Sequence, residues 1–99
     1  MFELNFVIKV YETQKMVKIS GIIGDLLIKK VSIGGTQIGM SDEGCFIVSQ
    51  PTLKPAISSR EWSNGFYMKI VCEDTENAYS FFSKLATKLT PHETTIEII

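Results

Sequence analysis

The sequence predicts an α+β domain, an antiparallel sheet of four to six strands with one C-terminal amphipathic helix packed on one face. Three observations carry this expectation. Phe2, Leu4, Phe6, Ile8 and Val10 alternate with their neighbours at a period of two, as do Phe66, Met68, Ile70 and Cys72, which marks strands with one buried face. Ala78, Phe81, Phe82, Leu85 and Leu89 recur instead at three and four residues, the spacing of one helix face. Between these regions, Gly24-Asp25, Gly34-Gly35 and Gly44 cut the apolar runs into strand-sized pieces.

Taken in order, the first strand covers Phe2 to Val10, and the polar Glu12-Thr13-Gln14-Lys15 suits a hairpin turn. Met16 to Ile23 is rich in β-branched residues and is expected to be a second strand, ended by Gly24-Asp25. Leu26 to Ile33 is apolar at most positions, so a strand covered on much of both faces is expected, with Lys29 and Lys30 at an edge or end. Residues 34–44 hold four glycines beside Asp42-Glu43 and read as a long flexible loop with a short extended piece around Ile38. Cys45 to Ser49 and Gly65 to Cys72 are the next two strands. Asp74 is the expected helix N-cap, Glu76 lies in the first turn, where the helix dipole favours negative charge, and Pro91 follows the stop. Lys84 and Lys88 sit one turn apart on the helix's outer side. The β-branched tail Thr94 to Ile99 is expected to add a strand at a sheet edge or to a partner chain.

Composition bounds the function. At 99 residues the chain has the size of one domain, 1–99, and 44% hydrophobic with 21% charged residues is ordinary globular material. Ten basic against eleven acidic side chains give a net charge of −1, which argues against a whole-molecule electrostatic footprint for nucleic acid and leaves only local patches. Apolar runs fall well short of the roughly 20 residues that span a bilayer. Glu3, Asn5 and Lys9 interrupt the position of a signal-peptide core, so a cytoplasmic location is expected. There, Cys45 and Cys72 are expected as reduced, buried small hydrophobes, although two strand cysteines can also face each other and pair.

No catalytic residue, metal or cofactor is expected. Two isolated cysteines and His92, without CxxC or HxxxH spacing, do not make a zinc site. His92 follows Pro91 near the tail, Ser58-Ser59 lacks a base, and no phosphate-cradling glycine motif stands between a strand and a helix. A binding role reads better. The segment Gln50 to Asn64 places Lys54, Arg60 and Trp62 among prolines and serines, a mixture of cation and aromatic that can hold a phosphate backbone and stack an unpaired base. Trp62 serves equally as a lid on the core. Lys9, Tyr11, Tyr67 and Lys69 form a polar sheet face that either lines up as a binding surface or is simply solvated.

Met16 to Ile23, Leu26 to Ile33 and Cys45 to Ser49, the last running into Gln50-Pro51-Thr52, resemble the SpoVG family of stage V sporulation and septation regulators. That family ends the corresponding strand in a Met-Pro-Ser turn, and the resemblance spans roughly residues 4 to 90. The family's turn corresponding to 34–44 is shorter, and its His-Pro-Ile segment before the helix stands here as Lys69-Ile70-Val71. The resemblance implies a non-enzymatic, homodimeric regulator that binds single-stranded DNA or RNA, with Lys84 and Lys88 in the places of the family's basic helix residues. Lys54, Arg60 and Trp62 are the expected primary contacts. From a different class, a small phage or mobile-element protein that binds and inhibits a host protein complex also fits the long 34–44 segment and the apolar tail. A homodimer is expected, with Ile96 to Ile99 as its pairing strand.

Overall fold

In the computed structural model, which describes residues 1–53 and 64–99, one antiparallel sheet of six strands organises the chain. The elements run β1 (Phe2–Val10), α1 (Met16–Asp25), β2 (Leu27–Ile33), β3 (Thr36–Ser41), β4 (Phe46–Leu53), β5 (Asn64–Cys72), α2 (Thr75–Leu89) and β6 (Thr94–Ile98). Their order across the sheet is β2-β3-β4-β5-β1-β6. After β1, α1 carries the chain to the far edge, and the β2–β5 meander returns until β5 lies against β1. The α+β class and the antiparallel sheet are as the sequence predicts.

A single core forms where the alternating strands turn one set of side chains inward. Phe6, Ile8 and Val10 of β1, Ile47 of β4 and Phe66, Met68 and Ile70 of β5 join Ile19 and Ile23 of α1 and Ala78, Phe81, Leu85 and Leu89 of α2 in one buried cluster. The α2 start follows from Asp74, whose Oδ1 accepts the Asn77 N–H at 2.9 Å and satisfies one of the unpaired amides of the first turn. Phe82 is half-buried, its ring edge-on to Phe6 with centroids 5.1 Å apart.

Several expectations are corrected. Met16 to Ile23 is helix, not strand: Met16, Ile19 and Ile23 repeat at three and four residues, and burying that stripe overrides the β-branched propensity. The Gln37 side-chain amide fastens this helix to β3, donating to the Ser20 carbonyl at 2.9 Å and the Ser20 hydroxyl at 3.2 Å. Leu26 to Ile33 does hold a strand, but it lies at the sheet edge with only Leu27 buried. Residues 34–44 contain a full strand, β3, in place of a long loop. Gly34 and Gly35, with φ of 57° and 86°, form the two-residue hairpin turn between β2 and β3. Gly39 lies within β3 because an added Cβ would run into the Lys29 carbonyl oxygen beside the register shift between Leu27 and Lys29.

Cys45 and Cys72 are not reduced thiols. They are joined in a disulfide, with Cα atoms 4.4 Å apart. Because Phe46 pairs with Val71, the two cysteines face each other one position further along the ladder, both buried. The tail forms β6 and pairs with β1 of its own chain, Phe6 opposite Ile98 and Val10 opposite Thr94. Among the described residues no helix is long and apolar enough to cross a membrane.

Candidate functional site

Strand alternation gives the sheet a second, outward set of side chains, and pairing aligns them in rows. One row runs Val31–Ile38–Val48–Lys69–Asn5, and the next runs Lys29–Met40–Phe46–Val71–Glu3. Ile33 and Tyr67 extend the same face. In a protein of this size most large aliphatics lie inside, yet Val31 is 59% exposed, Ile33 69%, Ile38 37% and Phe46 42%. With Tyr67 at 37% they place several exposed apolar side chains on one face of the sheet, an arrangement that marks an interaction surface more readily than single scattered hydrophobics do. Cations stand at its margin. Lys29 is exposed beside Met40 and Val31, and the Lys69 ammonium lies 3.8 Å from the Glu3 carboxylate with both side chains about half exposed.

The sequence-predicted site is distributed differently. Lys54, Arg60 and Trp62 lie outside the described residues. Lys84 and Lys88 do come together, lining an open groove of about 420 Å³ along α2 with Ser80, Ser83 and Thr87. Lys84 is committed elsewhere, however: its ammonium lies 2.6 Å from Glu43, a side chain only 8% exposed in the β3–β4 turn. Burial alone would raise the Glu43 carboxyl, but the Lys84 ammonium, the Glu43 backbone amide and the Ser41 hydroxyl outweigh it and hold the carboxyl below its ordinary value. The same hydrogen bond raises the Lys84 ammonium.

Of the polar sheet face, Lys9 is buried and paired with Glu97 at 3.2 Å, while the Tyr11 hydroxyl donates to Thr95 Oγ1 at 3.0 Å. These two side chains tie β6 to β1. Tyr11, still 44% exposed, Tyr67 and Lys69 of that group remain accessible. His92 lines a small cavity of about 210 Å³ with Ala86, Leu89, Thr90, Thr94 and Ile96. Among the described residues, no three His, Cys, Asp or Glu side chains gather as a metal site would need.

Compared with known proteins, the chain matches no family model, no curated protein and no solved structure at a significant level. The apolar outer rows are what sequence reading missed. Treating residues 34–44 as a loop removed the strand that links Val31 to Val48, and without β3 the rows do not exist. The signal was the alternation of Thr36, Ile38 and Met40, hidden by the glycine between them.

Proposed function

We propose that this chain is a non-enzymatic binding module that engages a protein partner through the outer face of its sheet. The observation that carries the reading is the solvent exposure of Val31, Ile33, Ile38 and Phe46 on the outer rows, in which Met40, Val48 and Val71 are half-buried. Phe46 and Tyr67 on this face are able to stack bases, but the branched aliphatics Val31, Ile33 and Ile38 around them are not, and aliphatic and aromatic side chains ringed by a few charges are the composition of a protein-interface core. Charge adds less: Lys69 is balanced by Glu3 on the same face, which leaves Lys29 to favour a carboxylate beside the partner's apolar patch. The reading takes α2, together with α1, to be packed on the inner face, supported by the core that Phe81 and Leu85 share with Ile8 and Met68. A phage or mobile-element protein that blocks a host complex is the kind of module this describes.

A second reading, single-stranded DNA or RNA bound as the SpoVG resemblance implies, is favoured by the α2 groove, where Lys88 and Lys84 stand among three hydroxyls. Glu43 weakens it by neutralising Lys84. A cytoplasmic setting belongs to the same proposal, and there the Cys45–Cys72 bridge meets a reducing thiol pool. Capture from host lysate with and without nuclease separates the two readings. A partner retained after nuclease supports the protein reading, and loss of all capture on nuclease treatment supports the nucleic-acid one.

A further inference from the structure

We infer that β2 takes an extended segment of a partner protein as a further antiparallel strand, whose outward side chains set apolar residues against Ile33 and Val31 and a carboxylate against Lys29. The inference rests on the protein-binding reading of the outer face and names the kind of partner that face would take. β2 is an outer strand, hydrogen-bonded to β3 on one side and with no strand on the other among the described residues. In an antiparallel ladder alternate residues turn their N–H and C=O groups away from the neighbour, so this side presents unpaired backbone groups that template a strand. Ile28 to Ile33 are exposed throughout. The stretch available for pairing is Lys29 to Ile33, in unbroken register with β3 between the shift at Leu27/Lys29 and the left-handed turn at Gly34-Gly35.

The lysines decide the occupant. Lys29 and Lys30 stand within that stretch, and edge lysines deter strands because a strand laid across them must desolvate an ammonium. Alternation sends the two to opposite faces. Lys30 turns inward, its ammonium over Gly24 of α1, 2.7 Å from where a Cβ there would be, while Lys29 stands outward in the row of Met40 and Phe46. On the outer face the deterrent is therefore a single cation, which has no carboxylate partner among the described residues. Beside it on that face are Val31 and Ile33, both more than half exposed. A strand carrying a cation opposite Lys29 is repelled, whereas a carboxylate there is attracted, and apolar side chains facing Val31 and Ile33 add to it. Every ladder of this sheet is antiparallel, the pattern that is slightly more stable per residue. Read from its N-terminus, the complementary segment is thus apolar-x-apolar-x-acidic, with small polar residues opposite Ser32 and Lys30. Its outward side chains would prolong the Val31–Ile38–Val48 and Lys29–Met40–Phe46 rows by one strand.

Nuclear magnetic resonance of the intact, isotope-labelled protein titrated with the capped peptide Thr-Ile-Thr-Val-Thr-Glu-Thr tests this. The expected result is saturable amide shifts centred on Lys29 to Ile33. Lys29→Glu should weaken the binding about three- to thirtyfold and should prefer the peptide that has lysine in place of glutamate. Lys29 is exposed, so the variant keeps its fold, which circular dichroism checks. Strand addition is read separately from charge by two peptides N-methylated on alternate amides: the one whose methyl groups face β2 should not bind, and the other should. Absence of shifts with the parent peptide, unchanged affinity in Lys29→Glu, or equal binding of the two N-methylated peptides overturns the inference. Shifts along β2 that follow protein concentration without peptide give the edge to a second copy and overturn it as well. None of these outcomes bears on capture of a lysate partner through Ile38 and Phe46, so the strand edge and the outer face fail separately.

Discussion

Replacing Phe81 by alanine removes a ring with no solvent exposure from the centre of the cluster that joins α1, α2 and the sheet. Truncating a fully buried phenylalanine costs about 3 to 5 kcal/mol, transfer and cavity terms together. A domain of this size holds only about 5 to 15 kcal/mol of stability in all, so the variant should be close to the limit of folding. At about 4 to 8 °C per kcal/mol, the melting temperature falls by about 12 to 40 °C. Phe82, one residue on, gives the internal control. It is half-buried and meets Phe6 edge-on, so Phe82→Ala forfeits a partial burial and one ring pair, about 1 to 2 kcal/mol. Urea titration followed by circular dichroism measures both. A loss from Phe82→Ala equal to or above that from Phe81→Ala would refute the orientation assigned to α2.

Further outcomes are expected. Glu43 is held below its ordinary pKa of 4.5, so the Glu43–Lys84 pair contributes fully above that pH and its contribution is lost as pH falls through the lower folded value; Glu43→Gln should flatten this part of the acid limb in pH-dependent melts, and an unchanged limb would deny the pair any role. The raised Lys84 gives the mirror case, a contribution present below 10.5 and lost as the pH climbs through the higher folded value, which Lys84→Met should remove. The Cys45–Cys72 bridge closes a chain segment with a separation of 27 residues, so the double alanine variant should lose about 3.5 kcal/mol, and alkylation of both cysteines in freshly lysed cells would show that the working form lacks the bridge. Gly39→Ala should destabilise by about 1 to 3 kcal/mol through the Lys29 carbonyl, whereas Gly21→Ala, in open space on α1, should stabilise by about 0.5 to 1 kcal/mol.

These expectations separate what was legible in the chain from what was not. β1, β5 and α2 could be read from their letters because each buries one face at its own period, two for Phe66, Met68 and Ile70, three to four for Ala78, Phe81 and Leu85. α1 was misread because Val17, Ile19, Ile22 and Ile23 carry strand propensity, and only the burial of Ile19 and Ile23 in the shared core decides for helix. β3 was misread because Gly39 answers a long-range demand, the close approach of β2, that no local window contains. The disulfide is non-local in the same way: it requires that Cys45 and Cys72 be opposite in register, which follows from the pairing of β4 with β5. The candidate site suffered most, since its rows are drawn from four strands and vanish when one is missing. Lys84 illustrates the converse, a cation that spacing placed on an outer helix face and that tertiary structure hands to Glu43.

The central claim, that the outer face is the binding surface, is tested most directly by comparing nuclease-treated lysate capture by the wild-type protein with capture by a variant combining Ile38→Glu and Phe46→Glu. Both side chains are exposed, so melting temperature should move little while the captured partner is lost. A Lys88→Ala variant should capture as the wild type does. Undiminished capture by the Ile38→Glu, Phe46→Glu protein, or capture lost only with Lys88→Ala, would contradict the account and return the binding surface to α2.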